Sequence, residues 1–153
     1  MIEPGDALPA LTLEGSDGRI ALAERGGPLL LYFYPKDDTA GCTREAQDFS
    51  ALLPQFAALG VELLGVSKDS AAKHRKFTEK YDLSVPLATD DGTVMEAFGV
   101  WIEKQLYGRR YMGIDRSTFL FDGEGKLFRA WRKVRVPGHA EAVLAAAKEM
   151  LGK

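Results

Sequence analysis

Leu29-Leu30-Leu31-Tyr32-Phe33-Tyr34 is an unbroken apolar and aromatic run closed by Pro35. It has no polar face to offer water, so it predicts a strand buried on both sides of a sheet. The segments downstream supply layers to cover it. From Thr43 to about Leu59, the residues Ala46, Phe49, Leu52, Leu53 and Phe56 recur at helical spacing, and Pro54 is expected to kink or split that helix. Val61–Val66 reads as a second strand, and Ser70 caps a helix through His74 and Phe77 to about Tyr81. Strand, helix, strand, helix in this order is the pattern of a right-handed βαβ unit with a parallel pair.

The flanks complete the layout. Leu11–Glu14 and Arg19–Leu22 enclose Ser16-Asp17-Gly18 as a hairpin. After Pro86 the chain reads as loop-rich, with a short helix at Thr93–Phe98. Ser117–Phe121 and Lys126–Trp131 flank the turn Asp122-Gly123-Glu124-Gly125, and Gly138–Leu151 is an amphipathic helix followed by the capping Gly152. The sum is an α/β, thioredoxin-like fold: a central mixed sheet flanked by helices, an N-terminal β-hairpin, and one domain over residues 1–153.

Charge and cysteine usage narrow the function. Twenty Lys and Arg against 22 Asp and Glu leave a net charge of −2, which favours neither nucleic acid nor an anionic membrane as partner. No apolar run approaches the ~20 residues of a membrane span, and the first residues lack the basic and apolar regions of a signal peptide. A reducing cytoplasm is the expected location. The single cysteine, Cys42, excludes an internal disulfide, a multi-thiolate metal site and a Cys-x-x-Cys oxidoreductase. His74 and His139 lie far apart with no zinc-like spacing; His74 is expected on an exposed helical face, His139 near the start of the last helix, and neither as a catalytic group. The basic run Arg129, Arg132, Lys133 and Arg135 reads as a solvated face.

Chemistry therefore centres on Cys42. Thr39-Ala40-Gly41 leads from the buried strand into the following helix, placing Cys42 in its first turn, where free N–H groups and the helix dipole favour an anion. An ordinary thiol of pKa about 8.5 is only about 3% thiolate at pH 7, so full ionisation gains roughly 30-fold in reactivity. That is too little for an efficient catalyst, and groups that align the substrate and stabilise the departing oxygen must supply the rest. Thr39 offers a hydroxyl three residues before the thiol, and Gly41 and Cys42 offer backbone N–H groups. On their own, Thr39 also suits a helix N-cap, Pro35 a strand end, Glu45 a first-turn carboxylate and Arg116 a surface arginine.

Pro35-x-x-x-Thr39-x-x-Cys42 resembles the active-site signature of the peroxiredoxins. The longer strings Tyr32–Thr39 and Gly41-Cys42-Thr43 are similar to the bacterioferritin comigratory protein, or peroxiredoxin Q, subfamily. So are Gly99-Val100-Trp101, Tyr111–Ile114, Arg116–Leu120 and Trp131–His139. The resemblance implies a thiol-dependent peroxidase without cofactor or metal. Cys42 would be the peroxidatic cysteine and Thr39 would hydrogen-bond the peroxide in a pocket with Pro35 and Gly41. Pro35 would shield the thiolate, Arg116 would stabilise thiolate and transition state, and Glu45 would support them. Two positions depart from the subfamily: Ala40 stands where proline is usual, and Gln47 where many members carry a resolving cysteine.

A sulfenic acid on Cys42 then needs an external thiol such as thioredoxin, glutaredoxin with glutathione, or another small thiol. A monomer is implied, or a transient Cys42-linked dimer. Two other functions fit the same residues: a peroxide sensor relaying oxidation to a partner, and a thioredoxin-fold interaction or holdase module whose cysteine is incidental.

Overall fold

The computed structural model describes residues 2–153. Its centre is the predicted run: β3, Leu29–Phe33, is buried at every position. Alternate side chains of β3 feed two separate cores, as the two-residue period of a strand demands. Leu30, Tyr32 and Tyr34 pack with Phe49, Phe56, Phe77 and Val143 on one face; Leu29, Leu31 and Phe33 pack with Met95, Phe98, Phe119 and Phe121 on the other.

Seven strands build the sheet in the order β2-β1-β5-β4-β3-β8-β9. They are β1 (Thr12–Gly15), β2 (Gly18–Ala21), β4 (Glu62–Ser67), β5 (Leu87–Thr89), β8 (Ser117–Phe121) and β9 (Leu127–Trp131), besides β3. β3, β4 and β5 run parallel, whereas β8 lies antiparallel to β3, with Ser117 opposite Phe33 and Phe121 opposite Leu29. The sheet is therefore mixed, with the expected hairpin at one edge. Helices α1 (Ala40–Ala58), α2 (Ala71–Tyr81) and α4 (His139–Met150) contribute to the first core, and α3 (Thr93–Phe98) to the second. No described helix is long and apolar enough to cross a membrane.

Of the two outcomes expected at Pro54, the split does not occur: α1 is one helix of 19 residues. Phe49 and Phe56, buried on either side of it, hold both halves on the sheet, and exposed Pro54 sits on the outer side. The stretch after Pro86 is also not merely loop. It contains β5 and a two-stranded ribbon, β6 (Trp101–Leu106) with β7 (Arg109–Ile114), joined by Tyr107 and Gly108 at φ 51° and 79°. Positive φ at both turn residues is the two-residue hairpin geometry that suits strand twist. β5 is too short to show a period, and the ribbon buries too little for an apolar pattern to develop.

The basic run is likewise not wholly solvated. Arg132 is partly buried and donates to the carbonyls of Phe98 at 2.9 Å, Gly99 at 3.3 Å and Ile2 at 3.4 Å, clamping the end of α3 to the N-terminal segment. Phe98 itself lies 4.9 Å from the Phe119 ring and 5.2 Å from that of Phe33. Phe98→Ala should therefore lower the urea-measured unfolding free energy by about 3–5 kcal/mol, while Tyr107→Ala on the exposed ribbon turn should stay within about 0.5 kcal/mol of wild type.

Candidate active site

The site lies where β3 ends and α1 begins, at the carboxyl ends of the parallel strands, the usual location for ligands in an α/β sheet. Thr39 is the N-cap residue of α1, so Ala40, Gly41 and Cys42 form its first turn and their N–H groups lack intrahelical acceptors. Cys42 is 1% exposed. Arg116, placed just before β8 by the β3–β8 pairing, reaches across to α1. Its Nη2 donates to Cys42 Sγ at 3.3 Å and its Nη1 to Glu45 Oε1 at 2.7 Å. Cys42 and Glu45, one helical turn apart, present both acceptors to one guanidinium fork.

Gly41 has a steric role in that approach. A Cβ added there would lie 3.1 Å from Arg116 Nη2, so any larger residue would press on the guanidinium. Thr39, at the N-cap, does not cap: its hydroxyl donates to the Lys36 carbonyl at 2.8 Å. With its hydrogen committed there, Oγ1 is left as an acceptor. Pro35 and Thr39 are exposed, whereas Cys42 is buried. The structure thus brings Cys42, Gly41, Glu45 and Arg116 into direct contact or near it, and puts Thr39 and Pro35 on the adjoining outer loop.

Glu45 is buried, and its Oε2 has no hydrogen-bond partner among the described residues. Burial pushes its carboxyl up to about 7, against the pull of the Arg116 guanidinium. Burial opposes the charge of Arg116 too, but Glu45 and Cys42 outweigh it and hold the guanidinium above its ordinary value. His139, the first residue of α4, is buried with Nε2 2.8 Å from Thr118 Oγ1; burial, then the Arg116 charge, brings it down to about 4, so it is neutral at pH 7.

His74 corrects its expected place. It is buried, not exposed, because it shares the inner stripe of α2 with Phe77 and Tyr81. Its Nδ1 lies 2.6 Å from Asp37 Oδ2 and its Nε2 3.1 Å from the Ala88 carbonyl. A carbonyl can only accept, so Nε2 carries a hydrogen, and one proton bridges Nδ1 and the Asp37 carboxyl. Tyr34 donates to the other carboxyl oxygen at 2.5 Å, and burial is the largest of the effects that raise its phenol well above the ordinary range. The Asp37 N–H donates to Asp69 at 2.8 Å. Next along, Asp38 adopts φ 59° and accepts from Tyr81 at 2.6 Å and Lys80 at 2.9 Å, bonds that hold its carboxyl below the usual range. The loop before Cys42 is thus tied mainly to α2. His74, Asp37, Asp38 and Tyr81 were not legible as site residues; the three-residue step from His74 to Phe77 was the available sign that His74 faces inward.

Residues 4–130 match the AhpC/TSA family. The chain belongs to that family. Peroxiredoxin Bcp of Xanthomonas campestris is 50% identical over 139 residues, covering 90% of this chain and 87% of that protein. Peroxiredoxin Bcp of Bacillus subtilis is 47% identical and covers 99% of both. A solved structure of the Xanthomonas campestris bacterioferritin comigratory protein, studied for alkyl peroxide reduction, has 48% identity and a TM-score of 0.88, covering 95% of this chain and 99% of that one. The fold is the thioredoxin-like peroxiredoxin fold, and the chain is a thiol peroxidase of this family.

Glu45 gives the site a measurable pH signature. The folded protein holds the Glu45 proton more tightly than the unfolded chain, whose carboxyl titrates near 4.5. Its contribution to stability is therefore complete below pH 4.5 and declines as pH rises to about 7. Urea unfolding of wild type and Glu45→Gln at stepped pH should show the variant gaining relative to wild type across that window and levelling off above it.

Proposed function

We propose that Cys42 reduces hydrogen peroxide and alkyl hydroperoxides in a one-cysteine cycle. The observation that carries this reading is the Arg116 guanidinium held between Cys42 Sγ and Glu45, a cation fixed against the atom that must be anionic to react. The thiolate attacks the nearer peroxide oxygen along the O–O axis. An S–O bond forms, the O–O bond breaks, sulfur is oxidised by two electrons to a sulfenate, and the peroxide's own proton passes to the departing oxygen, which leaves as water or alcohol. The sulfenate takes a proton from solvent to become the sulfenic acid. Thr39 Oγ1 accepts from the peroxide O–H, and Arg116 with the free N–H groups of the first turn stabilises charge on the separating oxygens. Pro35 limits water at the mouth.

With Gln47 and no second cysteine in the sequence, recovery requires an external thiol. Its sulfur displaces the sulfenic oxygen as water, giving a mixed disulfide, and a second thiol releases Cys42. Thioredoxin, or glutaredoxin with glutathione, would serve in a reducing cytoplasm, and one copy of the chain suffices for the peroxide step.

Reduced protein mixed with one equivalent of peroxide should gain a single oxygen by intact mass within seconds, and Cys42→Ser should gain none. Arg116→Ala should slow the reaction by roughly 10²–10³-fold, the loss seen when one oxyanion donor is removed. A peroxide rate unchanged in Arg116→Ala would overturn its assigned role, and no oxygen gain in wild type would overturn the cycle.

A further inference from the structure

The large hydrophobic side chains left exposed among the described residues are confined to one place. Leu106 is 55% exposed, Tyr107 97%, Tyr111 47% and Met112 49%, and all four belong to the β6–β7 ribbon or its turn. The ribbon's two faces differ. Residues opposite each other across the pair share a face, so Trp101 and Ile114, Glu103 and Met112, and Gln105 and Arg110 lie on one side. On that side Ile114 is buried in the core with Trp101 against it, while farther out Met112 lies exposed beside the exposed pair of Arg110 with Glu103, one cation matched by one acid. The other side carries Lys104, Tyr111, Leu106 and Arg109. With half-buried Ile102 it holds two cations, no acid and three large apolar groups, and Tyr107 stands at its tip.

An exposed apolar patch edged by like charge marks an interaction surface, and its charge selects an acidic partner. A second copy meeting it face to face would set Lys104 and Arg109 against themselves. The ribbon is also continuous with the reactive centre. β7 ends at Ile114, and Arg116, two residues on, touches Cys42 Sγ at 3.3 Å. Six residues of extended chain span about 20 Å, so a small protein seated over the sulfur would also meet the ribbon. Such a visitor is required if Cys42 is resolved from outside, a premise that rests on the one-cysteine cycle above.

We infer that the Lys104–Leu106–Arg109–Tyr111 face is the docking surface for the protein that reduces oxidised Cys42, a thiol protein with an apolar face and an acidic rim. Anchoring there supplies orientation, while the loop around Cys42 does the peroxide chemistry.

The test compares two electron donors in steady-state turnover with saturating peroxide. One is dithiothreitol, too small to need the ribbon; the other is thioredoxin kept reduced by thioredoxin reductase and NADPH, with glutaredoxin and glutathione as the second protein donor. Two variants are used, Lys104→Glu with Arg109→Glu, and Leu106→Ser with Tyr111→Ser. Both should keep wild-type dithiothreitol turnover within about two-fold. Both should raise the KM for the protein donor at least ten-fold, and the charge-reversed variant should lose the salt sensitivity of that KM. An unchanged donor KM in both variants overturns the assignment, as does a wild type that turns over with dithiothreitol but with neither protein donor. Loss of self-association by light scattering, or of binding to vesicles containing phosphatidylglycerol, with donor KM unchanged, overturns it in favour of a second copy or a membrane. A wild type that consumes no peroxide even with dithiothreitol defeats instead the one-cysteine cycle on which the docking rests.

Discussion

Arg116 spans 74 residues of sequence to reach Cys42 and 71 to reach Glu45, and the arrangement of the rest of the site depends on that span. A guanidinium can serve a sulfur and a carboxylate at once only if both lie on one side of it at the spacing of its fork. Helix α1 provides that spacing with residues one turn apart, and the antiparallel β3–β8 register delivers the arginine to them. A slip of one residue between β3 and β8 would turn the β8 side chains to the opposite faces and disrupt both the second core and the approach of Arg116. The glycine before Cys42 completes the fit, since a side chain there would occupy space beside the guanidinium.

Burial makes this arrangement responsive as well as precise. Glu45 is drawn in opposite directions by desolvation and by Arg116, and the balance brings its proton affinity near neutrality. The guanidinium is therefore opposed by a full negative partner only above about pH 7, and below that more of its charge faces the sulfur. His139, by contrast, is kept neutral by burial, so it adds no second cation close to Arg116.

The loop before the cysteine obtains its shape from elsewhere. Asp37 and Asp38 hand it to His74, Tyr81 and Lys80 of α2, while Asp69 holds the Asp37 N–H. The buried Asp37–His74 contact, with the exposed Asp38 bonds beside it, holds one loop conformation where apolar packing would allow several. Preorganisation suits a reaction whose substrate offers little more than two oxygens to grip. The large apolar side chains left exposed among the described residues lie apart from this loop, on the β6–β7 ribbon and its turn.

The sequence alone determined the scaffold and the place of its one cysteine. The Leu29–Tyr34 run could be buried only between two covered faces, and helical spacing after Thr43 dictated where Cys42 would sit. Those are local properties, carried by period and by residue type. Ser70 as a cap, the N-terminal hairpin and the closing helix were legible for the same reason. Pro54 did not split its helix, because two buried phenylalanines hold both halves on the sheet. The ribbon escaped notice because a strand pair that faces water on much of its surface has no hydrophobic period to read. What only the tertiary structure decided is the set of pairings between distant charges. His74 could be taken for a surface residue until Asp37 and the Ala88 carbonyl closed around it, and Arg132 until three carbonyls did. A charged side chain in a sequence is solvated by default; the three-dimensional packing determines which ones lose their water, and a partner must then replace it.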